Sequence, residues 1–223
     1  MHHSHLATQM AAQRARNAST WTAIMVATQA HRQPAASLLT TITKPDFPTL
    51  LSQAIIIPDK ETEDGQLIKA VSFPLLAIIH RIIEDPSRMY EIDPRKWEEI
   101  VAATYAESGF FDDVTLTPRS GDRGRDVIAV KKGFGSIRLI ESVKRCSPGN
   151  KTTAEEVQAL IGVLLSDPQA SKGIVSTTWE FAPMIWQNPH IMQYVPHRLE
   201  LVDGKALMER LKEYTTAVSD RRD

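Results

Sequence analysis

Apolar positions recur three and four apart early in the chain. Leu67, Val71, Leu75, Ile78, Ile79 and Ile82 share one helical face, and they predict one or two helices between Phe47 and Asp85, split by the acidic, glycine-ended segment DKETEDG. A second helix is predicted over PRKWEEIVAATYAESGF, where Asp93 is an N-cap, Pro94 fits the first helical position and Gly109 marks the end. The pattern then shortens to period two. VTLTP, DVIAVKK and SIRLIESVK read as three strands, the last two joined by the tight connection GFG. A helix from Thr153 to Leu165 follows, with acids in its first turn, then the buried-strand pattern GIVSTT. RLELV, the turn DG and the helix KALMERLKEY close the chain. The order α-β-β-β-α-β, then β-α, implies an α/β protein with a mixed sheet and helices on both faces.

Three segments differ in composition. Residues 1–45 hold no Asp or Glu and carry only the short apolar piece WTAIMVA, which suits a helical or partly disordered N-terminal extension; His2, His3 and His5 lie at its start. Residues 46–90 read as a helical support segment, and residues 91–223 as the main domain. No apolar run reaches the ~18–20 residues needed to span a bilayer, the longest being FPLLAIIHRII with its histidine and arginine. A single cysteine, Cys146, excludes an intramolecular disulfide framework and a cysteine-based zinc cluster, which points to the cytoplasm.

Charge changes the picture only locally. The whole chain has a formal net charge of -1, yet between Pro118 and Lys151 nine Lys and Arg residues face three acids. Arg119, Arg123, Arg125, Lys131, Lys132, Arg138 and Arg145 are therefore candidates for contacts with DNA phosphates. The same stretch carries candidate chemistry. Metal-assisted phosphodiester hydrolysis needs carboxylates to fix a divalent ion and a cation to act on water or developing charge. Asp126 opens one strand and Lys144 stands late on its hairpin partner, so the turn at Gly133–Gly135 can bring them together. Taken alone, the pair is compatible with a nuclease site, an impaired one, or a basic hairpin.

Read in order, PRKWEEIVAATYAESGF, TPRSGDRGRDVIAV, IESVKR, ASKGIVSTT and LELVDGKALMERL resemble the Mrr-type restriction endonucleases over roughly residues 90–215. The resemblance implies the P-D-(D/E)-x-K nuclease fold, with a restriction-endonuclease-like αβββαβ core, and a magnesium-dependent DNA endonuclease of the restriction or phage-defence type. It implies Mg2+ as cofactor with Mn2+ as a substitute, double-stranded DNA as partner, no membrane, and a homodimer where both strands are cut. By position, Glu98 matches the acid of the first helix, Asp126 the metal-binding aspartate and Lys144 the catalytic lysine. Gly121 and Gly124 match the turn that delivers the aspartate.

The chain departs from the family at one place. Ser142 stands two residues before the lysine, where Glu or Gln is expected, with Glu141 beside it. Alternation along a regular strand turns Ser142 and Lys144 to one face and Glu141 to the other. A bulge re-aims side chains, and the expectation here is that one turns Glu141 inward as second metal ligand, beside Asp126 and the Val143 carbonyl. The alternative, favoured by Ser142, is a catalytically weak or inactive nuclease fold serving as a DNA-binding or sensing module.

Overall fold

The fold is that of a computed structural model, which describes residues 45–118 and 124–220. Seven strands form one sheet in sequence order: β1 (Ile56–Thr62), β2 (Gly65–Ala70), β3 (Asp113–Leu116), β4 (Val127–Lys131), β5 (Ile137–Lys144), β6 (Lys172–Thr177) and β7 (Leu199–Val202). Neighbours from β1 to β5 are antiparallel; β5, β6 and β7 run parallel. Among the described residues, six α-helices accompany the sheet: α1 (Phe47–Ser52), α2 (Ser72–Glu84), α3 (Pro94–Ser108), α4 (Ala154–Ser166), α5 (Pro189–Met192) and α6 (Gly204–Ser219). Short 3-10 turns occupy Pro86–Tyr90 and Pro183–Gln187.

Alternation along the strands separates two cores. Val127, Ala129, Leu139, Val143, Ile174 and Val202 face α2, α3 and α6. Ile140, Val175, Leu199 and Leu201 face α4 and the Phe181–Ile191 segment. Trp97, fully buried in the first core, donates its indole N–H to the Met89 carbonyl at 3.0 Å and so fixes α3 against the preceding 3-10 turn. Both ends of α3 are set by local chemistry: the Asp93 carboxylate accepts from the Lys96 amide at 3.0 Å, and Gly109 takes a left-handed conformation with φ of 69°. At the start of α4, Thr153 and Glu156 cap each other's backbone.

One predicted region is corrected. Residues 56–70 are a β-hairpin, not part of a helix, and β2 pairs with β3, so the segment 46–90 adds two strands to the sheet of the main domain as well as helices. The reason is local. Thr62 pairs with Gly65 across a two-residue connection, the β-branched run Ile55–Ile57 favours extended backbone, and Leu67 and Ile68 alternate between faces. At Gly65, with φ of 137°, an added Cβ would stand 2.6 Å from the Leu116 carbonyl oxygen, so only glycine lets the hairpin close on β3. The expected extension over residues 1–45, with His2, His3 and His5, lies all but wholly outside the described residues; Arg119, Gly121 and Arg123 lie outside them as well.

Candidate active site

The end of β4 meets the end of β5 at Asp126. The Asp126 amide donates to the Glu141 carbonyl at 2.9 Å, which holds the residue against β5 just before β4 begins. Its carboxylate accepts the Val143 amide at 2.6 Å and the Ser142 hydroxyl at 3.2 Å, and the residue is 6% exposed. Asp126 and Ser142 thus share the α4 side of the sheet. Lys144, two residues on from Ser142, lies on that same side at the rim, half-buried. An N–H and C=O of one strand residue face the same neighbour, so the Val143 carbonyl is on the edge that meets Asp126.

Glu98 approaches this strand end from α3. Arg95 bridges the two parts: its Nη1 donates to Glu98 Oε2 at 2.7 Å and to the Thr117 carbonyl at 2.9 Å, and the Thr117 amide donates to the Asp126 carbonyl at 3.1 Å. Asp126, Ser142 and Val143 are brought together directly, Lys144 lies on the Asp126 side of the sheet at the end of β5, and Glu98 stands one arginine away.

Glu141 is elsewhere. β5 keeps an unbroken register with β4 from Ile137 to Glu141 and with β6 from Leu139 to Lys144, so the expected bulge is absent and Glu141 points to the face opposite Asp126 and Lys144. The inward-turning carboxylate is therefore corrected. Its surroundings explain the orientation: the Tyr105 hydroxyl of α3 donates to Glu141 Oε2, and Arg210 of α6 lies close by. Arg210 pairs in turn with Glu200 of β7, and Lys172 reaches Glu200 at 2.5 Å. Burial pushes the Glu141 carboxyl above the usual range, opposed by Arg210 and by the Tyr105 bond. Burial, reinforced by the Glu141 charge, pushes the Tyr105 phenol well up. Sequence reasoning missed this network. Its signal was present: Glu200 interrupts an apolar strand between Leu199 and Leu201, and Arg210 falls on the Leu207, Leu211 and Tyr214 face of α6.

The basic stretch is mostly neutralised. Lys131 pairs with Asp112 at 3.2 Å, Lys132 with Asp113 at 2.6 Å, and Lys151 with Glu180 at 2.7 Å. Arg138 is clamped between Asp64 at 3.0 Å and Asp167 at 3.1 Å, and Arg125 also meets Asp64. Lys131 and Lys132 also sit ~17 Å along the hairpin from Asp126, five residues at ~3.4 Å each. Lys144 and Arg145 differ: neither has an ion pair among the described residues, and Arg145 donates to the Tyr90 carbonyl. The expected continuous cationic hairpin is thus reduced, among the described residues, to two unneutralised cations at the Asp126 end.

Among the described residues, no group of three or more His, Cys, Asp and Glu side chains is gathered as a metal site. The donors at the strand ends are one carboxylate in place, one hydroxyl, one main-chain carbonyl and the nearby Glu98. That set fits a hard cation such as Mg2+ only when water and phosphate oxygens complete it, as Mg2+ sites with one or two carboxylates commonly do. Glu156, in the first turn of α4, is engaged in that helix's capping box at 2.8 Å from the Thr153 amide. No described helix is long and apolar enough to cross a membrane.

A family model described as a restriction endonuclease, the Mrr catalytic domain, matches residues 89–211, more than half of the chain. No curated protein matches. Among solved structures, the MspJI restriction endonuclease in complex with a 27-mer oligonucleotide is 15% identical with a TM-score of 0.44, the match covering 70% of this chain and 35% of that one. The DNA modification-dependent restriction endonuclease AspBHI is 17% identical, also at 0.44, over 75% of this chain and 42% of that one. The chain spans less than half the length of either. With its mixed α/β sheet and this family match, the chain belongs to the Mrr-type restriction endonucleases.

Proposed function

We propose that the chain is a divalent-metal-dependent DNA endonuclease of the restriction or phage-defence type, acting on double-stranded DNA in the cytoplasm. The observation that carries the reading is the placement of Asp126 and Lys144 on one side of the sheet where β4 begins and β5 ends, with no carboxylate neutralising Lys144 among the described residues. Asp126, the Val143 carbonyl and Glu98 would hold Mg2+ or Mn2+, with the Ser142 hydroxyl as a neutral donor. When bound, the ion supplies Lewis-acid polarisation of the phosphate and lowers the pKa of water. Lys144 orients the attacking water or stabilises charge developing on the phosphoryl oxygens. Arg145, with Arg119 and Arg123 by sequence, contacts the DNA backbone. Cutting both strands calls for two such sites, which is the reason to propose a homodimer.

Incubating supercoiled plasmid with Mg2+ or Mn2+ tests the reading. The parent protein should produce nicked or linear DNA and Lys144→Ala should leave the plasmid intact; equal cutting by both removes Lys144 from the chemistry. A second reading, a DNA-binding or sensing module with little or no cleavage, is favoured by Ser142 at the family's acid or amide position and by Glu141 facing away. DNA bound but uncut under every metal condition would select it.

A further inference from the structure

At the same strand ends as the candidate active site, but on the α2, α3 and α6 side of the sheet, a cavity of about 420 Å³ opens between the 3-10 turn Pro86–Tyr90, the segment after β6 and the start of α6. Its aromatic residues are Tyr90 and Trp179, packed edge to face with ring centres 5.9 Å apart, and its lining includes the buried Met89 and Met208. The strands fix its place relative to the chemistry. Lys144 pairs with Thr177, and the Thr178 amide donates to the Lys144 carbonyl at 3.0 Å. Trp179 therefore stands one strand over and two residues on from the position opposite Lys144, about 8 Å away by strand geometry. The Arg145 guanidinium, next to Lys144, donates to the Tyr90 carbonyl and ties the cavity wall to the same strand end.

We propose that this cavity receives a single nucleobase displaced from the DNA duplex a few nucleotides from the scissile phosphate. The inference rests on the DNA reading above. Each nucleotide advances ~3.4 Å along the axis, so the offset of Trp179 from Lys144 corresponds to about two or three nucleotides. The lining holds no cationic excess that would draw a phosphate: Glu180 is paired with Lys151 at 2.7 Å, Glu209 with Lys212 at 2.9 Å, and the other charged lining residues are one acid, Asp203, and one lysine, Lys205. Aromatic and thioether walls offer stacking and dispersion to an uncharged ring, whatever its sequence. The volume falls within the range of pockets that enclose small ligands, about 300–1,000 Å³.

A base is extruded most easily where it is already unpaired. The probe is therefore a fluorescent duplex carrying one central unpaired adenine, compared with the perfect duplex of the same sequence, each measured in Mg2+ and in EDTA. The parent protein should bind the bulged duplex about tenfold more tightly, within the range expected of one base stacked on an aromatic side chain. Trp179→Ala should abolish the preference, and Trp179→Phe should keep most of it. The parent comparison is decisive before any substitution is made: equal affinity for the two duplexes overturns the base pocket while leaving DNA binding intact. A preference that survives in a folded Trp179→Ala protein also overturns it, since the bulge would then be read elsewhere. Failure of the parent to bind either duplex overturns the DNA reading itself, and the pocket with it.

Discussion

Replacing Glu141 by alanine separates a structural carboxylate from a catalytic one. Glu141 is 2% exposed, accepts the hydroxyl of the equally buried Tyr105 and faces Arg210, which is 6% exposed. Removing one partner of a buried charged network costs about 3–5 kcal/mol, because the remaining groups stay desolvated; the orphaned Tyr105 hydroxyl accounts for about 1–3 kcal/mol of this. In a protein of this length 1 kcal/mol moves the melting temperature by about 2–4 °C, so Glu141→Ala should melt about 6–20 °C below the parent. Glu141→Gln keeps the acceptor for Tyr105 and should cost about 1 kcal/mol. The pH dependence has a definite sign. A carboxyl whose folded pKa is raised contributes stability that is fully present below its unfolded value, about 4.3, and that is lost as pH rises through the folded value. The Gln variant does not titrate, so its stability should gain on the parent as pH increases from 4 upward. Thermal denaturation followed by circular dichroism at several pH values measures all of this. Unchanged melting of Glu141→Ala, together with lost binding of Mn2+, would refute the reasoning and return Glu141 to the active site.

Three further outcomes are expected. Asp126→Ala should lose cleavage and also about 1–3 kcal/mol of stability, because the buried Val143 amide loses its acceptor; Asp126→Asn should lose cleavage while melting close to the parent. Ser142→Glu, which places a carboxylate on the Asp126 side, should tighten Mn2+ binding measured by calorimetry, at about 1–3 kcal/mol of stability for overfilling a buried position; unchanged Mn2+ affinity in a folded variant would show that position 142 does not face the ion. In a DNA-binding titration, Lys144→Ala with Arg145→Ala should weaken affinity and flatten its salt dependence by about 0.9 in the log-log slope for each phosphate no longer neutralised. Lys131→Ala with Lys132→Ala should change little, because both already pair with Asp112 and Asp113.

The strands from β3 onward and the ends of α3 were legible because local signals agreed with the final packing: a capping aspartate and proline at 93–94, period-two runs, and a glycine turn at 133–135. The β1–β2 hairpin was not. Leu67 keeps helical phase with Val71 and Leu75, and what overrode that phase was the pairing of β2 with β3 and the close approach at Gly65, both between segments distant in sequence. The placement of Asp126 and Lys144 at adjoining strand ends was legible because a hairpin register follows from the turn between the two strands. The orientation of Glu141 also followed from plain alternation, but the case for a bulge from metal chemistry outweighed it. What reversed that case was the partner set of Tyr105, Arg210 and Glu200, which converges from α3, α6 and β7 and has no adjacency in sequence. The charge count likewise overstated the free cations, since the acids that neutralise Arg125, Lys131, Lys132 and Arg138 come from residues 64, 112, 113 and 167, outside the basic stretch.

The proposal that Asp126 and Lys144 form a metal-assisted nuclease site is tested most directly by measuring DNA binding and plasmid cleavage on one preparation of the parent protein and of Asp126→Asn, with Mg2+, with Mn2+ and with EDTA. The account predicts cleavage by the parent only when a divalent ion is present, and binding without cleavage by the variant. Cleavage in EDTA, or undiminished cutting by Asp126→Asn, would contradict it.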